Sequence, residues 1–468
     1  MLHPCGPARR AAHSLLRLQS DGQGRPLPVS GVGVNCSSVD ALTARRLGLF
    51  LPLERLSLEA AQMVSLRRTV EHACAKSPWY RDRLAGFDPG SLRAPADLSR
   101  LPLLTSAELA AHGPRLVCVS QSEVARIITL QTSGSTGSPK RLHFTHDDLA
   151  ATVDFFLHGM LSLISPVDKV LALLPFTQPD STGALLLQAL GQGGVRCAGY
   201  WPPTDWEDLA EQIRSEGYSC VVGLPQHLLT LAYTLPHGLV RSMLLCSDYA
   251  PPMLRTRIEE ACGCETYLHY GTTETGLGGG VECGAHDGCH LRESELLVEI
   301  VHPHTGLPMP EGESGEVVVT TLGRRAMPLV RYRTGDLARL VTQPCVCGGV
   351  TARLCAIQGR RTACRLAGGV SVTSQDLDDA LFALDGLLDY RATLGHAKGC
   401  DLLGIEFLAR PGHELVDWEI SLTLAKVPAI ASALADGGLR LGPMLRVPSF
   451  SPSHTVKRTL FDQRGSRP

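Results

Sequence analysis

The sequence predicts an α/β protein: a large domain with mostly parallel sheets and a small barrel-like β region, then a smaller C-terminal α+β domain. Three observations predict it. From Arg126 to about Tyr270, short apolar runs alternate with amphipathic stretches. Over residues 295–340 the pattern changes to strand, turn and strand. Beyond Gly359 it becomes a series of shorter strand–helix units.

Residues 1–48 are rich in Gly, Pro, Ser and Arg with poor periodicity, and read as a disordered extension with room for one short helix. Arginines without an acid before Asp21 give this stretch a weak transit-peptide character, but a frayed start is the preferred reading. The large domain is set at 49–358. It opens on a helical pattern from Leu51 that runs through "HACAKSPWYRDRL". "VARIITL", "KVLALLP", "GVRCAGY", "SCVVGLP" and "RSMLLCS" read as strands. "HDDLAATVDFFLHGML" and "DWEDLAEQIRSEG" read as helices between them, which implies a mostly parallel sheet. "ELLVEIVHPHTGLPMPEGESGEVVVTTL" reads as hairpins or a small barrel. Residues 359–468 form the small mobile domain.

A formal net charge of -2 gives no reason to expect nucleic acid or an anionic membrane as partner. The most apolar stretch, "LALLPFTQPDSTGALLLQAL", is broken by Pro, Gln and Asp and does not read as a membrane span. No signal-peptide core is seen, so a cytoplasmic location is expected, where the 16 cysteines are thiols or metal ligands. Only six of the 44 basic residues are lysines, which makes a lysine at a motif position informative. Lys140 and Lys457 are two of them.

"LQTSGSTGSPK", residues 130–140, cannot build a core. It offers backbone N–H groups, hydroxyls and one cation, the ingredients of a phosphate site. It is not a Walker A loop, because Pro139 stands where that loop has the glycine that precedes its lysine. "YGTTETG", Tyr270 to Gly276, sets hydroxyls beside one carboxylate: threonines for phosphate oxygens and Glu274 for Mg²⁺. In "RYRTGDLARL", Asp336 follows a Thr-Gly turn and is suited to accept two hydroxyls of a ribose. The plainer reading of each is a polar loop.

In this order, the stretches resemble the adenylate-forming superfamily that includes acyl-CoA synthetases, and within it the phenylacetate–CoA ligase branch. The resemblance runs from about Leu51 to Phe461 and is carried by "HACAKSPWYRDRL", "TSGSTGSPK", "YGTTETGLGGGVEC", "EGESGEVVVTTL", "MPLVRYRTGDL", "CVCGG" and "IQGR". It implies an ATP phosphate loop of Thr132, Ser133, Gly134, Ser135, Thr136 and Gly137 with Lys140. It implies Tyr270 stacked on adenine beside Gly271, Thr272 or Thr273 on phosphate, and Glu274 on Mg²⁺. Ser247 would lie along the adenine, Asp336 on the ribose and Arg360 in its support. The implied catalytic residues are Lys457, Glu274 and Lys140. The implied reaction joins an aryl or related carboxylic acid to the α-phosphate of ATP, and coenzyme A then takes the acyl group as a thioester. The expected partners are the small acid and coenzyme A, with a homodimer left open.

"ECGAHDGCH" and "PCVCGG" offer Cys283, His290, Cys345 and Cys347, four soft ligands suited to a closed, structural zinc site, with Cys289 and His286 as substitutes. Two features depart from the family. At the hinge before the small domain, Thr362 and Ala363 replace two acids and Gly368 stands where Arg is usual. Lys457 also lies about one residue off the usual register. Adenylate transfer to another acceptor, or a non-catalytic nucleotide-binding relative, are therefore the alternatives. "PFTQPDSTG", expected near the acyl pocket, is polar for a plain aryl ring.

Overall fold

The structure, a computed structural model, describes residues 3–4, 37–130, 139–165, 167–359, 363–367, 369–397, 399–450, 458 and 460–464. The chain divides into two compact units. The first comprises Met1–Trp201, His269–Thr334 and Ala338–Ile357; the second, Pro202–Leu268, Gly335–Leu337 and Gln358–Pro468.

In the first unit, helix Ser38–Leu47 lies within the stretch read as an extension. It is folded because Val39, Leu42 and Ala44 bury one face and because both ends are capped. The Ser37 side chain accepts from the Asp40 N–H, and Gly48 takes the left-handed conformation at φ 69. The helical pattern from Leu51 is two helices, Arg55–Lys76 and Pro78–Arg83. Pro78 lacks an N–H to continue the first, and Ser77 caps the second by accepting from the Tyr80 N–H at 3.2 Å. Strands Arg126–Leu130 and Lys140–Phe144 pair antiparallel, with Leu130 opposite Lys140. Helix His146–Met160 starts on a reciprocal cap between Thr145 and Asp148. Strands Lys169–Leu173 and Arg196–Gly199 pair parallel, connected through helix Thr182–Gln192. Antiparallel pairing follows: Gly280–Glu282 with Cys289–Leu291, the latter with Arg353–Gln358, and Leu296–Val301 with Gly315–Thr321.

In the second unit, Cys220–Gly223, Ser242–Leu245 and the start of Glu265–Tyr270 are parallel neighbours. The first two are buried along their whole length, as a parallel sheet covered on both faces requires. Helices Trp206–Glu216, Pro225–Ala232 and Pro252–Cys262 alternate with these strands. A separate sheet runs Leu439–Arg446, Cys400–Ala409, Leu387–Ala397, Leu460–Asp462, accompanied by helices Ser374–Leu381, Asp417–Leu424 and Pro428–Ala435. Among the described residues no helix is long and apolar enough to cross a membrane.

Candidate active site

Lys140 opens its strand directly behind the Gly/Ser/Thr stretch and is buried. Glu274 lies in the loop after strand Glu265–Tyr270 and is wholly buried. The Lys140 Nζ donates to Glu274 Oε1 at 2.6 Å. The Tyr332 hydroxyl, also buried, donates to the same oxygen at 2.8 Å and lies 3.2 Å from the ammonium. Two opposite charges taken out of water need such mutual satisfaction to remain ionised.

The loop that carries Glu274 is shaped by its own threonines. The Thr272 N–H donates to Thr275 Oγ1 at 3.0 Å, and the Thr275 hydroxyl donates back to the Thr272 carbonyl at 2.9 Å. Gly276 has φ 82, and Arg324 donates to the Glu274 carbonyl at 2.7 Å. At Gly271 a Cβ would lie 2.7 Å from both His269 Cε1 and the Leu277 carbonyl, so a side chain there has no space. Gly271, Thr272 and Thr273 are half-buried, and Tyr270 is buried.

Sequence reasoning passed over His269 and Tyr332. His269 is half-buried beside Phe155 and Phe156, and its Nε2 has no hydrogen-bond partner among the described residues. Burial pushes its pKa down to about 4, so the ring is neutral at pH 7. Tyr332 stands inside the quoted "RYRTGD", where attention went to Asp336.

Ser247 and Asp336 belong to the second unit. Ser247 follows strand Ser242–Leu245 and has φ 71, rare for a residue with a side chain. Asp336 is buried within strand Tyr332–Val341. Thr132, Ser133, Gly134, Ser135, Thr136, Gly137, Arg360, Thr362, Gly368 and Lys457 lie outside the described residues.

A second cluster joins Cys283, His290, Cys345 and Cys347, whose ligand atoms all lie within 4.8 Å of one another. Cys289 and His286 are not part of it. The Cys283 and Cys345 sulfurs are 3.8 Å apart, and Cys347 Sγ is 3.4 Å from His290 Nε2. Thiolates bound to one tetrahedral zinc at about 2.3 Å stand about 3.8 Å from each other, so the donor set fits that ion. The other His290 nitrogen, Nδ1, lies 3.1 Å from the Thr351 hydroxyl, which donates to Asp40 Oδ1 at 2.9 Å. Asp40 also accepts from the N–H groups of Val350 and Thr351. Burial lowers the His290 pKa and so favours the neutral ring that a metal binds.

The fold is shared with adenylate-forming ligases. A 2-hydroxyisobutyryl-CoA ligase in complex with 2-HIB-AMP aligns with a TM-score of 0.71 at 20% identity, over 88% of this chain and 91% of that one. The profile of the AMP-binding enzyme family matches residues 90–323. Phenylacetate-coenzyme A ligase of Thermus thermophilus is 32% identical over 364 residues, 74% of this chain and 80% of the relative. The Escherichia coli protein of the same name is 29% identical over 72% of this chain and 79% of its own length. The chain belongs to the AMP-binding enzyme family, in its phenylacetate–coenzyme A ligase branch.

Proposed function

We propose that the protein is an ATP-dependent, AMP-forming carboxylate–CoA ligase acting on an aryl or related carboxylic acid. The observation that carries this reading is the buried Lys140–Glu274 pair, closed at 2.6 Å where the Gly/Ser/Thr stretch ends, in a chain of this family. In the first step a carboxylate oxygen of the acid attacks the α-phosphorus of ATP, and pyrophosphate leaves. No protein nucleophile is needed; two anions must be held in line and their charge offset. Lys140 supplies a fixed positive charge. Thr272 and Thr273 offer hydroxyls to phosphate, Tyr270 a ring to adenine, and Asp336 acceptors to ribose. In the second step the thiol of coenzyme A attacks the acyl carbonyl carbon, and AMP leaves.

Glu274 gives one hard carboxylate oxygen of the type Mg²⁺ takes beside phosphate oxygens, and would hold that ion. When bound, Mg²⁺ neutralises charge on the phosphates. The cysteine–histidine cluster has the donor set of a closed zinc site with no place for substrate, so its role is structural. The alternatives of another adenylate acceptor or a non-catalytic relative are favoured by Thr362 and Ala363 in place of acids, and opposed by the retained Lys140, Glu274 and Asp336. A cytoplasmic location is kept as part of the proposal, and a homodimer stays open.

The test is ATP–pyrophosphate exchange across aryl, heteroaryl and small polar acids, with and without coenzyme A. Exchange with one acid class and thioester only with coenzyme A is expected. Exchange without thioester points to another acceptor. ATP binding with no exchange across broad panels overturns the ligase reading.

A further inference from the structure

Arg458 follows Lys457 directly in the chain. Its side chain is 4% exposed, and each of its three guanidinium nitrogens donates a hydrogen bond. The Nε donates to Asp378 Oδ1 at 2.7 Å, and one Nη donates to Gln226 Oε1 at 2.7 Å. The other Nη donates to the Tyr249 carbonyl at 2.6 Å and lies 3.6 Å from Asp248 Oδ2. The backbone N–H of Arg458 donates to that same Asp248 oxygen at 2.9 Å. The guanidinium lies over the Phe382 ring, 4.8 Å from its centroid.

Holding down a chain terminus does not require this arrangement. The following strand, Leu460–Asp462, already pairs in register with Ala392–Leu394. An apolar residue at 458 would cost less than a buried cation. The bonds also leave the C-terminal sheet. Gln226 heads helix Pro225–Ala232, and Asp248 and Tyr249 follow strand Ser242–Leu245. Those groups precede residue 359, whereas Asp378, on helix Ser374–Leu381, follows it. A swing of the chain near residue 360 could not leave Arg458 bonded to both sides. The Tyr249 hydroxyl reinforces the bridge by donating to Asp379 Oδ1 at 2.9 Å.

We propose that Arg458 is a positioning residue for adenylation: its fork holds the chain, one residue after Lys457, to the 226 and 248–249 elements, and the second half-reaction does not need it. This rests on the ligase reading.

The test uses the full chain, wild type and the variants Arg458→Gln, Arg458→Lys and Asp248→Asn. Three quantities are measured: ATP–pyrophosphate exchange with the best acid, thioester formation from the synthetic acyl-adenylate of that acid plus coenzyme A, and the melting temperature. For Arg458→Gln the expected exchange kcat falls about 100-fold, with the KM for ATP and thioester formation each within about threefold of wild type. Arg458→Lys does not restore exchange, because an ammonium cannot fill the fork. Asp248→Asn, a milder change, shows the same split to a smaller degree. Equal loss of both half-reactions with a lowered melting temperature in all variants overturns the proposal in favour of a structural role. Unchanged exchange in Arg458→Gln, beside an active wild type, overturns it while leaving the ligase reading intact. A wild type that exchanges with no acid overturns both.

Discussion

Lys140 and Glu274 form an ion pair at 2.6 Å with almost no exposure on either side chain, 4% and 1%. Each offsets part of the other's cost of leaving water. Lys140→Ala therefore leaves a buried carboxylate without its cation and is expected to cost about 3–5 kcal/mol of stability. Tyr332→Phe removes one neutral donor from the same oxygen and is expected to cost about 1 kcal/mol. Urea denaturation of both variants measures this. Similar small losses would mean that water reaches Glu274.

Glu274→Ala is expected to abolish ATP-dependent turnover while leaving a folded protein. Lys140 would then be a buried ammonium, so folding must be verified by circular dichroism before activity is compared. Near-normal turnover would remove Glu274 from the nucleotide site.

Zinc is expected at one ion per chain, held by Cys283, His290, Cys345 and Cys347. Asp40 holds Thr351, which in turn meets His290. Asp40→Ala is therefore expected to weaken zinc about 10–100-fold. Competition with a chromophoric chelator gives the affinity directly, independent of enzyme activity. Protein purified without chelators and free of zinc would eliminate the assignment.

Legibility followed the range of the forces involved. "SCVVGLP" and "RSMLLCS" were readable as strands because a fully buried parallel strand is apolar along its whole length. Helix His146–Met160 was readable from its amphipathic pattern, whereas its cap by Thr145 and Asp148 is seen only in the structure. The helix at Ser38–Leu47 was hidden in a poorly periodic segment, since its burial depends on partners distant in sequence, such as Asp40 bonding to residues 350 and 351. The cysteine–histidine cluster was legible as two short cysteine-bearing loops; that Cys289 stays out of it was not, because only the fold decides which thiols converge. Tyr332 and Arg458 matter through contacts more than 50 residues away, which no local pattern encodes.

Burial pushes Asp378 up to about 6 and Asp389 up to about 7, from an ordinary value of 3.8. A carboxyl with a raised pKa binds its proton more tightly when folded. Its stabilising contribution is thus complete below about pH 4 and is lost as pH rises through about 6 to 7. Asp389→Asn keeps an acceptor for the Tyr390 N–H, which now bonds Asp389 Oδ1 at 2.8 Å, and removes the buried charge. It is expected to stabilise the protein at pH 8 by roughly 1–3 kcal/mol and to change little at pH 4. Denaturation midpoints for wild type and variant across this range check it. Parallel curves would mean that Asp389 is not the titrating group.

Lys457 is one of six lysines in a chain that otherwise uses arginine, and the resemblance gives it a place near the α-phosphate. A cation there is worth most when charge is shifting between the attacking carboxylate, the phosphorus and the departing pyrophosphate. It is worth less to bound ATP, whose charge Lys140 is proposed to offset. Lys457→Ala is therefore expected to slow pyrophosphate exchange by about 100-fold or more, while ATP affinity measured by calorimetry falls less than about threefold. An equal loss in both would make Lys457 a binding residue only. Full exchange would show that the one-residue shift in register has taken it out of the site, and the charge at the α-phosphate would then have to come from elsewhere in the chain.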